Sequence, residues 1–297
     1  IGAFLKGSIQ GAISLPIVGQ DPVEDFRRYA KNSSISRPLH LIDQHGSIAS
    51  QLCHDKHSKF LQGGYNNFKA WRNKQFEDGP PVSVLGGYTG SGKTKILLAL
   101  KNLGHQVIDL EQLASHKGSV FGGALTPQPL HEQFQNRLLS LWQSLDPTLP
   151  VWLEEKGPFL GRVGIPDALY RHMRKAVLIH LEVPFEKRIC TIKNTYPISD
   201  RKKFRAAVRS LEARMGPSSN HKALHYHDIG KDDRCLELLL KYYDQAYAMR
   251  RSTQWHNSVI HITHHPEDLA ATVEEIVQMP EKEKPAAIAA GNSIPKN

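Results

Sequence analysis

No stretch of this 297-residue chain approaches about 18 consecutive apolar residues, so nothing in it reads as a membrane-spanning helix. An arginine-led apolar leader of the secretory kind is missing as well. Cysteine is scarce: Cys53, Cys190 and Cys235 are too few and too scattered for a disulfide framework or a zinc ribbon. That scarcity suits a reducing, cytoplasmic setting. The first residue is Ile1 rather than methionine, which suits a fragment or a trimmed chain. There is no internal repeat and no signature of a protein partner. With 40% hydrophobic and 23% charged residues, the composition is that of an ordinary folded chain and argues against wholesale disorder.

What the chain has in excess is positive charge. Lys and Arg number 38 against 29 Asp and Glu, a formal net charge of +9. The surplus sits in one place. Residues 162–251 hold 19 basic against 10 acidic residues, and the remainder is balanced at 19 against 19. One basic block is the footprint expected for a polyanion partner, although a solvated helical face has the same composition. The run Arg201, Lys202, Lys203, Arg205 and Arg209 lies on a predicted helix inside that block and is the candidate RNA-facing surface.

The order of elements predicts an α/β protein. Residues 12–15 and 39–42 read as short strands, and 21–30 and 47–52 as short helices. Gly63-Gly64-Tyr65 turns into a helix carrying Phe68 and Trp71. The breaker cluster Asp78-Gly79-Pro80-Pro81 divides a first domain, 1–78, from a second, 79–260. In the second, buried-type strands at 82–85, 106–110, 150–153 and 176–183 alternate with helices, which predicts a parallel sheet covered on both faces. Residues 131–145 form an amphipathic helix with Phe134, Leu138, Leu141 and Leu145 on one face. Residues 185–251 are mainly helical. The segment 261–297 reads as a strand and helix remnant with a disordered tail from Met279.

Chemistry enters at Gly87-Tyr88-Thr89-Gly90-Ser91-Gly92-Lys93-Thr94, which fits G-x-x-x-x-G-K-[ST] at every position, after an apolar strand and at the start of a helix. Glycines allow successive N–H groups to point at one anion, and the helix N-terminus adds partial positive charge. Lys93 is placed to reach terminal phosphates and Thr94 to ligate Mg²⁺. A second acid for that ion comes from Asp109 (beside Glu111) or from Glu154 (beside Glu155), and the sequence leaves both open. His116-Lys117-Gly118-Ser119 is a second small-residue loop suited to a phosphate or pyrophosphate. His225, His227, His264 and His265 have no acid or cysteine partner at metal-ligand spacing.

These motifs, in this order, resemble the bacterial tRNA 2-selenouridine synthases. The resemblance runs through Val84–Thr94, Asp109-Leu110-Glu111, His116-Lys117-Gly118-Ser119, Phe121-Gly122, Gln128-Pro129 and Phe134-Gln135-Asn136. It continues through Val151-Trp152-Leu153-Glu154-Glu155 and Ile165-Pro166 to Tyr242-Tyr243-Asp244 with Tyr247. The first domain is similar to a truncated rhodanese domain, on Phe4–Pro16 and on Gly63-Gly64-Tyr65 with Phe68, Lys69 and Trp71. The resemblance implies modification of the wobble uridine in the tRNA anticodon: geranylation of 2-thiouridine from geranyl diphosphate, then conversion to 2-selenouridine with selenophosphate. It also implies a rhodanese cysteine. At that position stands Asp43, in Asp43-Gln44-His45-Gly46-Ser47, and Cys53 beyond it reads as structural. Where the family's acidic strand continues with an acid, a small residue and an arginine, this chain has Lys156, Gly157 and Pro158. A tRNA-binding pseudoenzyme and a small-molecule kinase are the competing expectations.

Overall fold

A computed structural model describes residues 39–41, 58–116, 127–195, 200–252 and 258–279. The first elements are β1 (Leu39–Leu41), β2 (Ser58–Phe60), α1 (Gly64–Gln75), β3 (Val82–Gly87), α2 (Lys93–Asn102), β4 (Gln106–Val107), α3 (Leu110–Leu113) and α4 (His131–Gln143). There follow β5 (Val151–Glu154), β6 (Phe159–Leu160), β7 (Val163–Gly164), α5 (Asp167–Lys175), β8 (Val177–Glu182), α6 (Phe185–Thr195) and α7 (Arg201–Arg209). The last are α8 (Glu212–Met215), α9 (Pro217–Asp228), α10 (Asp232–Ser252), β9 (Ser258–Thr263) and α11 (Leu269–Gln278). The strand predicted at 12–15, the helices at 21–30 and 47–52, the loop with Asp43, Cys53 and the tail beyond Met279 lie outside the described residues.

Two compact units emerge: one up to Asp78 together with Leu130–Trp142, the other Gly79–Pro129 with the chain from Gln143 onward. In the first, β1 and β2 pair in parallel with Leu39 opposite Ser58. Arg72 of α1 is 2% exposed. Its guanidinium donates to Glu132 at 2.8 Å, Asn136 at 2.6 Å and Gln135 at 2.6 Å, all on α4. The Tyr65 hydroxyl donates to Glu132 at 3.2 Å and accepts from the Asn136 amide at 3.0 Å. A buried guanidinium is tolerable only when acceptors meet its donors in this way.

Two residues of the predicted apolar face of α4, Phe134 and Leu138, are buried as expected, and the network widens that face to include Gln135. Phe134, Gln135, Leu138, Leu139 and Trp142 are buried, and Leu141 is exposed. Gln135 and Asn136 must face Arg72. Trp142 packs on Phe76 with ring centroids 5.7 Å apart and donates its indole N–H to the Gln75 carbonyl at 3.1 Å. The helix therefore groups with the residues before Asp78, and not with the phosphate-loop unit that its place in the sequence predicted.

The second unit is the parallel α/β sheet expected. Five strands run in the order β4-β5-β3-β8-β9, all parallel. The middle strand, β3, is buried along its whole length, as a strand flanked on both edges and covered on both faces must be. Leu85, Ile96, Leu97, Leu100, Trp152, Ile179, Leu181 and Ile262 form one core with Val273 and Ile276. Each fully buried aliphatic side chain contributes about 1.5–3 kcal/mol. Connections leave β3 toward β4 and cross back to β8, so the carboxyl ends of β5, β3 and β8 open a crevice at a topological switch point.

Three expectations change here. The strand at 106–110 stops at Val107, because the Asp109 carboxylate accepts the Gln112 N–H at 2.9 Å and caps α3. The strand assigned to a remnant beyond 260 is β9, which pairs with β8 from Ser258 to Thr263 as a full member of the sheet. Met279, expected in a disordered tail, is 9% exposed and packs in the same core. A second cluster joins α6, α7, α9 and α10 through Ile192, Phe204, Val208, Leu224, Cys235, Leu236 and Leu239. Burial pushes the Cys235 thiol up to about 12, which keeps it an inert packing residue. Among the described residues no helix is long and apolar enough to cross a membrane.

Candidate functional site

The loop after β3 wraps as its glycines allow. Gly90 has φ +83°, and a Cβ there would lie 2.8 Å from the Arg188 carbonyl, so both conformation and space demand glycine. Ser91 is buried, Thr94 is exposed in the first turn of α2, and Thr89 sits at the loop's outer bend. Lys93 is folded into its own loop. Its ammonium donates to the Gly87 carbonyl at 2.8 Å, the Tyr88 carbonyl at 3.1 Å and the Ser91 hydroxyl at 3.4 Å. Those three acceptors occupy all its donors, and an anion seated in the loop would replace them. Burial, with the Lys156 charge adding to it, lowers the Lys93 pKa.

On the β5 flank Lys93 meets acids. Its ammonium lies 3.7 Å from Glu154 Oε1, and the Lys156 ammonium donates to that same oxygen at 2.8 Å. Lys156 also donates to Glu111, in the first turn of α3. Burial alone would raise the Glu154 pKa, but Lys156 and Lys93 hold it below the usual range. Glu111 is pushed up by burial and by the neighbouring Glu154 charge. His116 joins this group, its pKa lowered by burial and by Lys156. Its Nδ1 is buried without a partner among the described residues. Lys117, Gly118 and Ser119 lie outside the described residues. Gln128 donates to the Ala114 and Leu160 carbonyls at 3.1 and 2.9 Å.

The opposite flank is built from residues that sequence reasoning left without a role. Arg188 of α6 binds Asp244 of α10 through two hydrogen bonds, at 2.8 and 2.7 Å, and donates to the Thr89 carbonyl at 3.2 Å. The Tyr88 and Phe185 rings each lie 5.1 Å from its guanidinium carbon. The Tyr247 hydroxyl accepts the Gly87 N–H at 3.2 Å and donates to Glu155, with His180 Nδ1 at 3.3 Å. At Gly86 a Cβ would come within 2.5 Å of that same Glu155 carboxylate, so glycine is needed for the approach. Tyr247 directly, and Asp244 through Arg188, thus fasten the phosphate loop.

The expected Mg²⁺ donors do not fit a divalent ion as they stand. Asp109 commits Oδ1 to capping α3, Glu154 turns Oε1 to two ammonium groups, and Glu155 accepts from Tyr247, so each acid already has a partner within the chain. Among the described residues no group of three or more His, Cys, Asp or Glu could hold a metal. On the basic helix α7, Arg201 pairs with Asp232 at 3.5 Å, Lys203 with Asp200 at 3.0 Å and Arg205 with Asp228 at 2.9 Å. Lys202 and Arg209 are exposed on the same helix.

Residues 80–226 match the family described as tRNA 2-selenouridine synthase AAA domain. This part of the chain is similar to that family. The matched span carries the phosphate loop, the Glu111–Glu154–Lys156 group, Arg188 and α7, and it ends before Asp244 and Tyr247. Three relatives named tRNA 2-selenouridine synthase are similar over longer or shorter spans. The protein from Sulfurovum sp. (strain NBC37-1) is 38% identical over 170 residues, 55% of this chain and 45% of that protein. The one from Nitrosomonas europaea is 28% identical over 254 residues, 70% of this chain and 66% of that protein. The one from Marinobacter nauticus is 36% identical over 142 residues, 46% of this chain and 37% of that protein. The matched spans thus cover between about a third and two thirds of the relatives' own lengths.

Proposed function

We propose that the chain is a tRNA-modifying transferase that acts on the wobble 2-thiouridine of the anticodon, with geranyl diphosphate and selenophosphate as co-substrates. The phosphate loop holds the diphosphate of the allylic donor. The thiocarbonyl sulfur attacks the first geranyl carbon, a C–S bond forms as the C–O bond to diphosphate breaks, and diphosphate leaves. The charge that develops on the leaving group falls where the loop N–H groups, the α2 N-terminus and Lys93 converge. The selenium of selenophosphate then adds at C2 and forms a C–Se bond as the C–S bond breaks and geranylthiol leaves; water cleaves the P–Se bond, releasing phosphate and leaving 2-selenouridine. The basic α7 surface holds tRNA phosphates.

The observation that carries this reading is the wrapped loop Gly87–Thr94, with Lys93 beneath it on carbonyls that an anion would displace. The family match and the relatives' names support the choice of substrate. The test is mass spectrometry of tRNA nucleosides after incubation of the chain with 2-thiouridine tRNA and geranyl diphosphate, and separately with selenophosphate. Geranylated product is expected from the first and is expected to vanish in Lys93→Ala. A chain that binds tRNA and leaves it unaltered would be the pseudoenzyme instead. Steady phosphate transfer from ATP to a small acceptor would make it a kinase.

A further inference from the structure

Two acids beside the phosphate loop, Glu111 and Glu154, are already occupied by an ammonium group of the chain itself. Lys156 Nζ sits between Glu111 and Glu154, and shares Glu154 Oε1 with Lys93 Nζ. The two lysines therefore stand side by side at the open end of β5. Two of the three Lys156 donors go to carboxylates, and among the described residues no acceptor takes the third. A divalent ion placed on Glu154 would have to displace or repel both ammonium groups. An anion placed in the loop would instead meet both, and would draw Lys93 off the loop carbonyls. We propose that Lys156 is the second cation of the phosphate site, a built-in replacement for the divalent ion, so that this chain binds a diphosphate without Mg²⁺.

This inference rests on the phosphate-loop reading above, and the experiment separates the two. Inorganic pyrophosphate is titrated calorimetrically into the full chain, once in EDTA and once with Mg²⁺, with the magnesium pyrophosphate equilibrium included in the fit. Comparable affinity in the two buffers, within about threefold, is the expected result. Lys156→Met is expected to weaken binding in EDTA by about tenfold or more, and Lys156→Arg to keep most of it. Lys156→Glu, which leaves three carboxylates together, is expected to bind only when Mg²⁺ is added. Wild-type binding that needs Mg²⁺ overturns the inference and leaves the phosphate loop intact as a diphosphate site. Lys156→Met that binds like wild type in EDTA also overturns it. Absence of binding in both buffers removes the phosphate-loop reading, and the inference with it. Because Lys156 is buried, thermal unfolding checks each variant. Should Lys156→Met fail to fold, the wild-type comparison between the two buffers still decides.

Discussion

The two flanks of the phosphate loop hold buried cations in different ways. On the β5 side, Lys93 and Lys156 share one carboxylate oxygen, each a point charge on a flexible stem. On the side of α6 and α10, Arg188 is locked: two bonds to Asp244, one to a loop carbonyl, rings on either side. The lysines can exchange their partners for an incoming anion at little geometric cost. The guanidinium cannot leave without unfastening the loop. The first flank is therefore suited to binding, and the second to holding the binding loop in shape.

Substitutions should separate these roles. Arg188→Ala is expected to give the largest effect, a loss of about 3–5 kcal/mol in unfolding free energy, because Asp244 is left beside the loop without its partner. Arg188→Lys should not restore it, since an ammonium lacks the planar fork. Urea unfolding of the three proteins measures this, and a change below about 1 kcal/mol would erase the distinction between the flanks. Lys93→Met comes next and should move a different quantity. Pyrophosphate affinity is expected to fall about 10–10²-fold, in line with the loss of one charge-assisted hydrogen bond. Its unfolding curve should stay close to that of the wild type. Tyr247→Phe should lie between the two kinds. It removes the acceptor of the Gly87 N–H and the donor to Glu155, a cost of about 1–3 kcal/mol, with a weaker loss of anion binding.

What sequence reasoning could read follows from distance along the chain. The loop is eight consecutive residues with a strand before and a helix after, so its fold and its ligand class are local facts. The parallel sheet was legible from alternation, and four of its five strands were anticipated in place if not in extent, β9 being the one not assigned to it. The partners of the loop were not legible. Glu111 and Glu154 meet only because β4 pairs with β5, and Tyr247 reaches Gly87 across 160 positions. Lys156 stood out as a departure from the family pattern, but its neighbours could be assigned only in three dimensions. Arg188 and Arg72 were two arginines among many. Nothing in spacing marks a guanidinium as buried. The face of α4 was legible in part: Phe134 and Leu138 are buried as periodicity predicts, whereas Leu141 is exposed and Gln135 faces inward to Arg72 on another helix.

The basic helix α7 gives the smallest expected effect, because much of its charge is already answered. Arg201, Lys203 and Arg205 each pair with an aspartate, two of them on adjoining helices. An incoming RNA phosphate must compete with Asp232, Asp200 or Asp228 for those cations. Lys202 and Arg209 carry no such partner in the ion pairs seen among the described residues, so they should count for more per charge. Removing one cation that neutralises an RNA phosphate should lower the slope of log affinity against log salt by about one unit. The double variant Lys202→Ala/Arg209→Ala is therefore expected to reduce that slope by about two for tRNA, with thermal unfolding unchanged. Arg205→Ala should reduce it by less than one, since it also exposes an uncompensated Asp228. Filter binding across a salt series reads both numbers. Equal slopes for wild type and the double variant would move the RNA surface off α7 and leave the excess of basic residues to another face of the same unit.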